Sequence, residues 1–162
     1  MISDHVYNTI TANLHEMMPI SHGFTYSGHP TCCAAALKNI EIIERENLTE
    51  NAALVGAYLQ DQLKKRLGHF QTVGEIRGVG LMVGIELVAD RATKRGFKLP
   101  HAACSMVEHE AWERGLYCRA MGMETVGLAP PLTITNEVVE QIVDILVESW
   151  EAMEAKMIPF DQ

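Results

Sequence analysis

Between His22 and Ile40 the chain reads HGFTYSGHPTCCAAALKNI, and two hydroxyl side chains, Thr25 and Ser27, stand in its turn-forming half. Short hydroxyls beside Gly23 and Gly28, just before a helix-like run opening at Pro30, make a turn able to hold an anion. The hydroxyls and free amides can donate, and the helix N-terminus adds a favourable dipole. The same residues also suit a plain turn in which Thr25 and Ser27 bond only to their own backbone. Other groupings carry less chemistry. His15, His22 and His29 recur every seven residues, but Pro19 and Gly23 forbid one continuous helix, so no zinc site is expected. His101, Cys104 and Glu108 share one helical face, a pattern that ordinary packing also produces. Gly78, Gly80 and Gly84 are spaced G-x-G-x-x-x-G and lead into strand-like residues, so they read as turn and close-packing glycines, not a dinucleotide loop.

The elements that must position these residues follow from periodicity and punctuation. Residues 4–14 predict a short helix, and the stretch to Pro30 is broken by Pro19, Gly23, Gly28 and Pro30 itself. A helix is expected from Pro30 to about Asn47, with Leu37, Ile40 and Ile43 forming an apolar stripe. Thr49 is the expected N-cap of a second helix reaching Leu67, in which Ala52, Val55, Leu59 and Leu63 repeat at helical spacing and Gly68 closes the end. The pattern then changes. TVGEIRGVGLMVGIELV, residues 72–88, predicts a short strand, a tight turn at Gly78 and a longer strand. A charged loop over 89–99 leads to a helix opened by Pro100, carrying Ala103, Met106 and Val107 and ended by Gly115. LYCRAMG and ETVGLAP predict a hairpin meeting near Gly122, and a last helix starts at Thr135 and buries Val138, Ile142, Ile145, Trp150 and Met153. This order, ααββαββα, predicts an α+β fold: a small, mostly antiparallel sheet flanked by helices.

Composition bounds the function. The 162 residues are 48% apolar, enough for one domain or one domain plus a piece of another. Thirteen basic against 21 acidic residues give a net charge of −8, which disfavours nucleic-acid partners. No apolar run is long enough to span a membrane, and the four cysteines lack paired CxxC spacing. A cytoplasmic chain with free thiols is expected, its nine methionines serving mainly as core filler. The opening MISDHVYNTI starts at once on apolar residues, so the chain is expected to begin inside a larger fold.

Four blocks in order resemble the class III aminotransferases, which use pyridoxal phosphate, and within them the omega-amino acid or amine:pyruvate transaminases. They are MISDHVY at the start, HGFTYSGHPTCCAAALKNIE at 22–41, GEIRGVGLMVGIELV at 74–88, and GLYCRAMG with LAPPLTIT between 115 and 135. The resemblance implies that residues 1–30 end a pyridoxal phosphate-binding large domain and that residues 31–162 form the C-terminal small domain. It implies that Thr25, with Ser27 as a second candidate, donates to the cofactor phosphate held by the opposite subunit of a homo-oligomer. It also implies that Arg119 holds the carboxylate of an amino acid or keto acid and swings away for a carboxylate-free amine. Arginine suits that task because its planar fork gives two parallel hydrogen bonds without losing charge. Without the resemblance, an arginine on a short strand reads as a solvated edge residue.

The lysine that bonds the cofactor and the acid that holds its ring nitrogen protonated lie, in that family, upstream of the block matching MISDHVY. Lys38, Lys64, Lys65, Lys94, Lys98 and Lys156 match neither position, so no catalytic residue is assigned and this polypeptide alone is expected to be inactive. Two other readings stay open: an independent small-molecule-binding or regulatory domain, and a dimerisation module that lends Thr25 to a separate partner.

Overall fold

The computed structural model describes the backbone of residues 2–12 and 23–161, and the side chains of these except Pro100 and residues 158–161. His15, Pro19 and His22 therefore lie outside the described residues, as does the end of the helix expected over 4–14. The chain divides into two compact units, Met1–Glu41 and Ile42–Gln162.

The first unit holds α1 (Asp4–Thr11) and most of α2 (Pro30–Arg45). Ser3 caps α1, its hydroxyl accepting from the Val6 N–H at 3.4 Å, with Asp4 in the first turn where the dipole favours an acid. Proline opens α2 as expected. The stripe Leu37, Ile40 and Ile43 does not become core: α2 buries none of its residues, and Leu37 is 69% exposed.

The second unit contains α3 (Leu48–Leu67), β1 (Val73–Val79), β2 (Met82–Leu87), α4 (Pro100–Glu113), β3 (Arg119–Met121), β4 (Thr125–Leu128) and α5 (Asn136–Asp161). The four strands form one antiparallel sheet in the order β1-β2-β4-β3. The predicted α+β layer is therefore present, with the predicted hairpin closing through Gly122 at a φ of +63°. Three local expectations shift. Asn47, not Thr49, precedes α3: it adopts the left-handed conformation (φ +50°) that asparagine tolerates, and its carbonyl accepts from the N–H groups of Glu50 and Asn51. The β1–β2 turn sits at Gly80, which carries the positive φ, whereas Gly78 lies within β1 opposite Val83. Val138 is not buried but 43% exposed.

The pleat sorts β2 into two faces. Val83, Ile85 and Leu87 are buried, and Met82, Gly84 and Glu86 point the other way. Val126 of β4 pairs with Ile85 on the buried face. Leu59 and Leu63 of α3, Ala103 and Val107 of α4, and Val139, Leu146, Trp150 and Met153 of α5 complete that core. Gly56 of α3 meets the β1–β2 turn so closely that an added Cβ would lie 2.2 Å from the Gly80 carbonyl carbon. The described helices of this unit pack on that face.

Trp150 is the largest fully buried side chain. Its Nε1 donates to the Thr72 Oγ1 at 2.8 Å, and that hydroxyl donates to the Glu154 Oε1 at 2.6 Å, tying α5 to the start of β1. Thr72→Val would leave the indole N–H buried without an acceptor, so it is expected to cost about 1–3 kcal/mol. Urea unfolding followed by tryptophan fluorescence measures this, and an unchanged midpoint would show that the chain of bonds contributes nothing.

Glu110 of α4 accepts from the Lys156 Nζ at 2.5 Å and from the Arg114 Nη1 at 2.8 Å, and these partners hold its carboxyl below the usual range. A carboxyl whose folded value lies below its unfolded value stabilises the fold above the ordinary carboxylate range. That contribution disappears as pH falls through the folded value. Glu110→Gln is accordingly expected to flatten the stability profile below about pH 4.5, measured by thermal melts across acid buffers.

All four cysteines are free, Cys32 and Cys33 exposed and the other two buried. Burial pushes the Cys104 thiol up to about 12 and the Cys118 thiol up to about 11. A disulfide reagent at neutral pH is expected to label Cys32 and Cys33 in the native chain and all four after denaturation. Rapid native labelling of Cys104 or Cys118 would contradict this packing.

Candidate functional site

The turn that carries the first hydroxyls is closed by its own backbone. The Ser27 N–H donates to the Phe24 carbonyl at 2.9 Å, and the His29 N–H donates to the Tyr26 carbonyl at 3.1 Å. Gly28, at φ +77°, supplies the left-handed residue that lets the chain swing into α2. The Ser27 Oγ accepts from the Phe24 N–H at 3.0 Å, so this hydroxyl braces the turn and keeps its own hydrogen for another acceptor. No described residue bonds to the Thr25 hydroxyl. Phe24 and Tyr26 flank it, each 75% exposed. The donor set is thus a free hydroxyl, a second hydroxyl hydrogen and the amides of a glycine-containing turn just ahead of a 16-residue helix. Its chemistry fits a phosphate.

Arg119 belongs to the other unit. It opens β3 opposite Gly127 of β4, is exposed, and its side chain makes no hydrogen bond or ion pair with any described residue. The hairpin after it has space. A Cβ built on Gly122 would touch nothing within 4 Å, and the neighbouring Met123 is 59% exposed.

Arg119 lines an open cavity of about 1050 Å³ that runs from the uncovered sheet face, along the segment 129–135, to the start of α5. Its walls are largely apolar, with Met82, Tyr117, Pro130 and Val138 among them, and its polar contributors include Thr125, Thr133 and Gln141. The exposure of Val138 is explained here, since it faces this space instead of the core. Of the side chains lining the cavity, only Arg77 and Arg119 are charged. That is notable in a chain with 21 acidic and 13 basic residues. The cavity accordingly favours an anion.

Thr25 and Ser27 therefore share one turn, and Arg119 stands in a separate cavity within the second unit. Sequence reasoning passed over Arg77. The signal was available in the alternation of IRGVG, which places Arg77 on the face away from Ile76, but nothing local says that this face stays open. His101, Cys104 and Glu108 do not gather. The His101 Nδ1 lies 3.2 Å from the Gly122 carbonyl, while the buried Cys104 thiol donates to the Met123 carbonyl at 3.5 Å. Among the described residues no group of three potential ligands could hold a metal ion, and no helix is long and apolar enough to cross a membrane.

The family model described as aminotransferase class-III matches residues 5–149. A diaminobutyrate–2-oxoglutarate transaminase of Halomonas elongata is 43% identical over 144 residues, which cover 88% of this chain and 31% of that protein. An adenosylmethionine-8-amino-7-oxononanoate aminotransferase of Methanocaldococcus jannaschii is 36% identical over 149 residues, covering 92% of this chain and 32% of its own length. Among solved structures, a transaminase obtained by ancestral reconstruction superposes with a TM-score of 0.83 at 41% identity, covering 96% of this chain and 34% of that one. The omega transaminase of Pseudomonas jessenii in complex with PMP gives 0.78 at 34% identity, covering 96% and 32%. The chain thus spans about a third of the length of the relatives it matches. With a family match over most of its length and a shared fold at this level of identity, the chain belongs to the class III aminotransferases.

Proposed function

We propose that these residues are the C-terminal part of a pyridoxal phosphate-dependent aminotransferase that moves an amino group from an omega-amino acid or amine to pyruvate or a similar keto acid. The observation that carries this reading is the unpaired Arg119 guanidinium in a cavity whose lining contains no acidic side chain. A monocarboxylate entering there meets a fork of donors with its charge unspent and geometry suited to two parallel bonds. Because nothing else in the described chain holds this arginine, it is free to bind a carboxylate or to turn aside for an uncharged amine tail.

In this reading residues 1–30 are the end of the large domain, the rest of which lies outside this sequence, and residues 31–162 form the small domain. The turn at Thr25 holds the cofactor phosphate of a second subunit in a cytoplasmic homo-oligomer, with the Thr25 hydroxyl as principal donor and Ser27 as bracing residue and second donor. Bound pyridoxal phosphate supplies the electron sink for amino transfer. This chain contributes grip: Thr25 and the turn amides fix the phosphate, and Arg119 orients the substrate by its carboxylate. None of Lys38, Lys64, Lys65, Lys94, Lys98 or Lys156 stands in a context matching the lysine that bonds the cofactor, so the 162-residue polypeptide by itself is inactive.

Supplied with pyridoxal phosphate, beta-alanine and pyruvate, the isolated polypeptide is expected to form no alanine. Turnover would refute its catalytic incompetence. Arg119→Gln is expected to weaken pyruvate binding by about tenfold in a titration followed by NMR. An unchanged Kd would remove Arg119 from its role and leave an independent binding or dimerisation domain as the better reading.

A further inference from the structure

The strand register places Arg119 in a row. Arg119 of β3 stands opposite Gly127 of β4, Gly127 opposite Gly84 of β2, and Gly84 opposite Arg77 of β1. Two arginines thus stand at the ends of one line across the open sheet face, with two glycines between them and all four residues lining the same cavity. Three interstrand steps of about 4.8 Å separate their Cα atoms by about 14 Å. Two long side chains reaching inward over a floor without side chains can close on the two ends of a short molecule. Two side chains lie over this floor: the Thr125 Cγ2 would be 3.2 Å from a Cβ on Gly84, and the Met121 Sδ would be 2.1 Å from one on Gly127, Met121 being a flexible thioether 53% exposed.

Arg77 is held from one side. Its Nη1 lies 3.2 Å from the Glu75 Oε2 and 3.9 Å from the Glu86 Oε2, and neither glutamate lines the cavity. Both contacts use the same nitrogen, so the Nε and Nη2 edge has no partner among the described residues. Half-exposed pairs of this kind are weak. They orient the guanidinium and leave a two-donor fork for an anion in the cavity.

We propose that Arg77 is a second carboxylate anchor of this cavity, so that, among pyruvate and similar keto acids, the site binds short dicarboxylates more tightly, held at one end by Arg119 and at the other by Arg77. This rests on Arg119 binding a carboxylate, and it adds a specificity-determining residue for the amino acceptor. A diacid meets both cations at once, whereas a monoacid leaves Arg77 with its glutamates.

The test is titration of the full 162-residue chain with glutarate and with pentanoate, which replaces the distal carboxylate by a methyl group at the same carbon count. Glutarate is expected to bind about tenfold more tightly. Arg77→Gln should abolish that preference and leave pentanoate binding unchanged, and Arg77→Lys should restore part of it. Arg119→Gln should weaken both ligands. If Arg77→Gln keeps the glutarate preference, or the unaltered chain shows none, Arg77 is not an anchor and the Arg119 reading survives. If Arg119→Gln leaves both affinities unchanged, the carboxylate site itself is wrong.

Discussion

The register of β2 is the constraint on which the second unit depends. This strand pairs on both sides, and its alternate residues divide between a core and an open face. A slip of one residue against β4 would bring Gly84 and Glu86 beneath Trp150 and the other helical side chains, and push Val83, Ile85 and Leu87 into water. The hydrophobic cost of that exchange pins the register. The same pinning aligns Arg77, Gly84, Gly127 and Arg119 across the other face, because a pleat that fixes one face fixes both. Packing on the buried side thus determines the geometry of the open side.

The turn in the first unit obeys a different logic. No core holds it; its shape comes from two backbone bonds, the Ser27 brace and the left-handed Gly28. Such a turn leaves its donors open to solvent, and in the proposed reading the Thr25 hydroxyl would take an anion at little steric cost. Its two exposed aromatic neighbours add apolar surface beside a polar donor, a combination that suits a contact with another surface.

Much of this was legible in the sequence. The α+β order, the helix openings at Pro30 and Pro100, the Gly122 hairpin and the burial of Leu59, Leu63, Trp150 and Met153 all follow from periodicity and punctuation. The misreadings share a cause. Gly78 and Gly80 look alike as letters, and only the close approach of Gly56 and the tight two-residue turn assign the positive φ to Gly80. Asn47 supersedes Thr49 because a left-handed asparagine lets Leu48 enter the helix already buried. Leu37, Ile40 and Val138 have the spacing of core residues, but periodicity states only that a helix has an apolar side. It does not state what meets that side.

The open sheet face raises an energetic question, since two like charges share one cavity. Their Cα atoms are about 14 Å apart; with both side chains drawn inward to about 7 Å, the repulsion in water is about 0.6 kcal/mol, and salt lowers it further. This is smaller than the gain from a single charged hydrogen bond, about 1.5–3 kcal/mol. Placing a second arginine in the row therefore costs the fold little, and an arriving anion has far more to gain from it. The glutamates beside Arg77 lower this repulsion further by offsetting part of its charge, and they weaken its pull on an anion by the same means. Glycine at both intermediate positions completes the arrangement: a side chain at Gly84 would crowd the Thr125 Cγ2 at 3.2 Å, and one at Gly127 would displace Met121. Between the two arginines the central strands thus contribute only backbone, leaving Met121 and Thr125 as the side chains that a ligand of the proposed kind would have to displace or pack against.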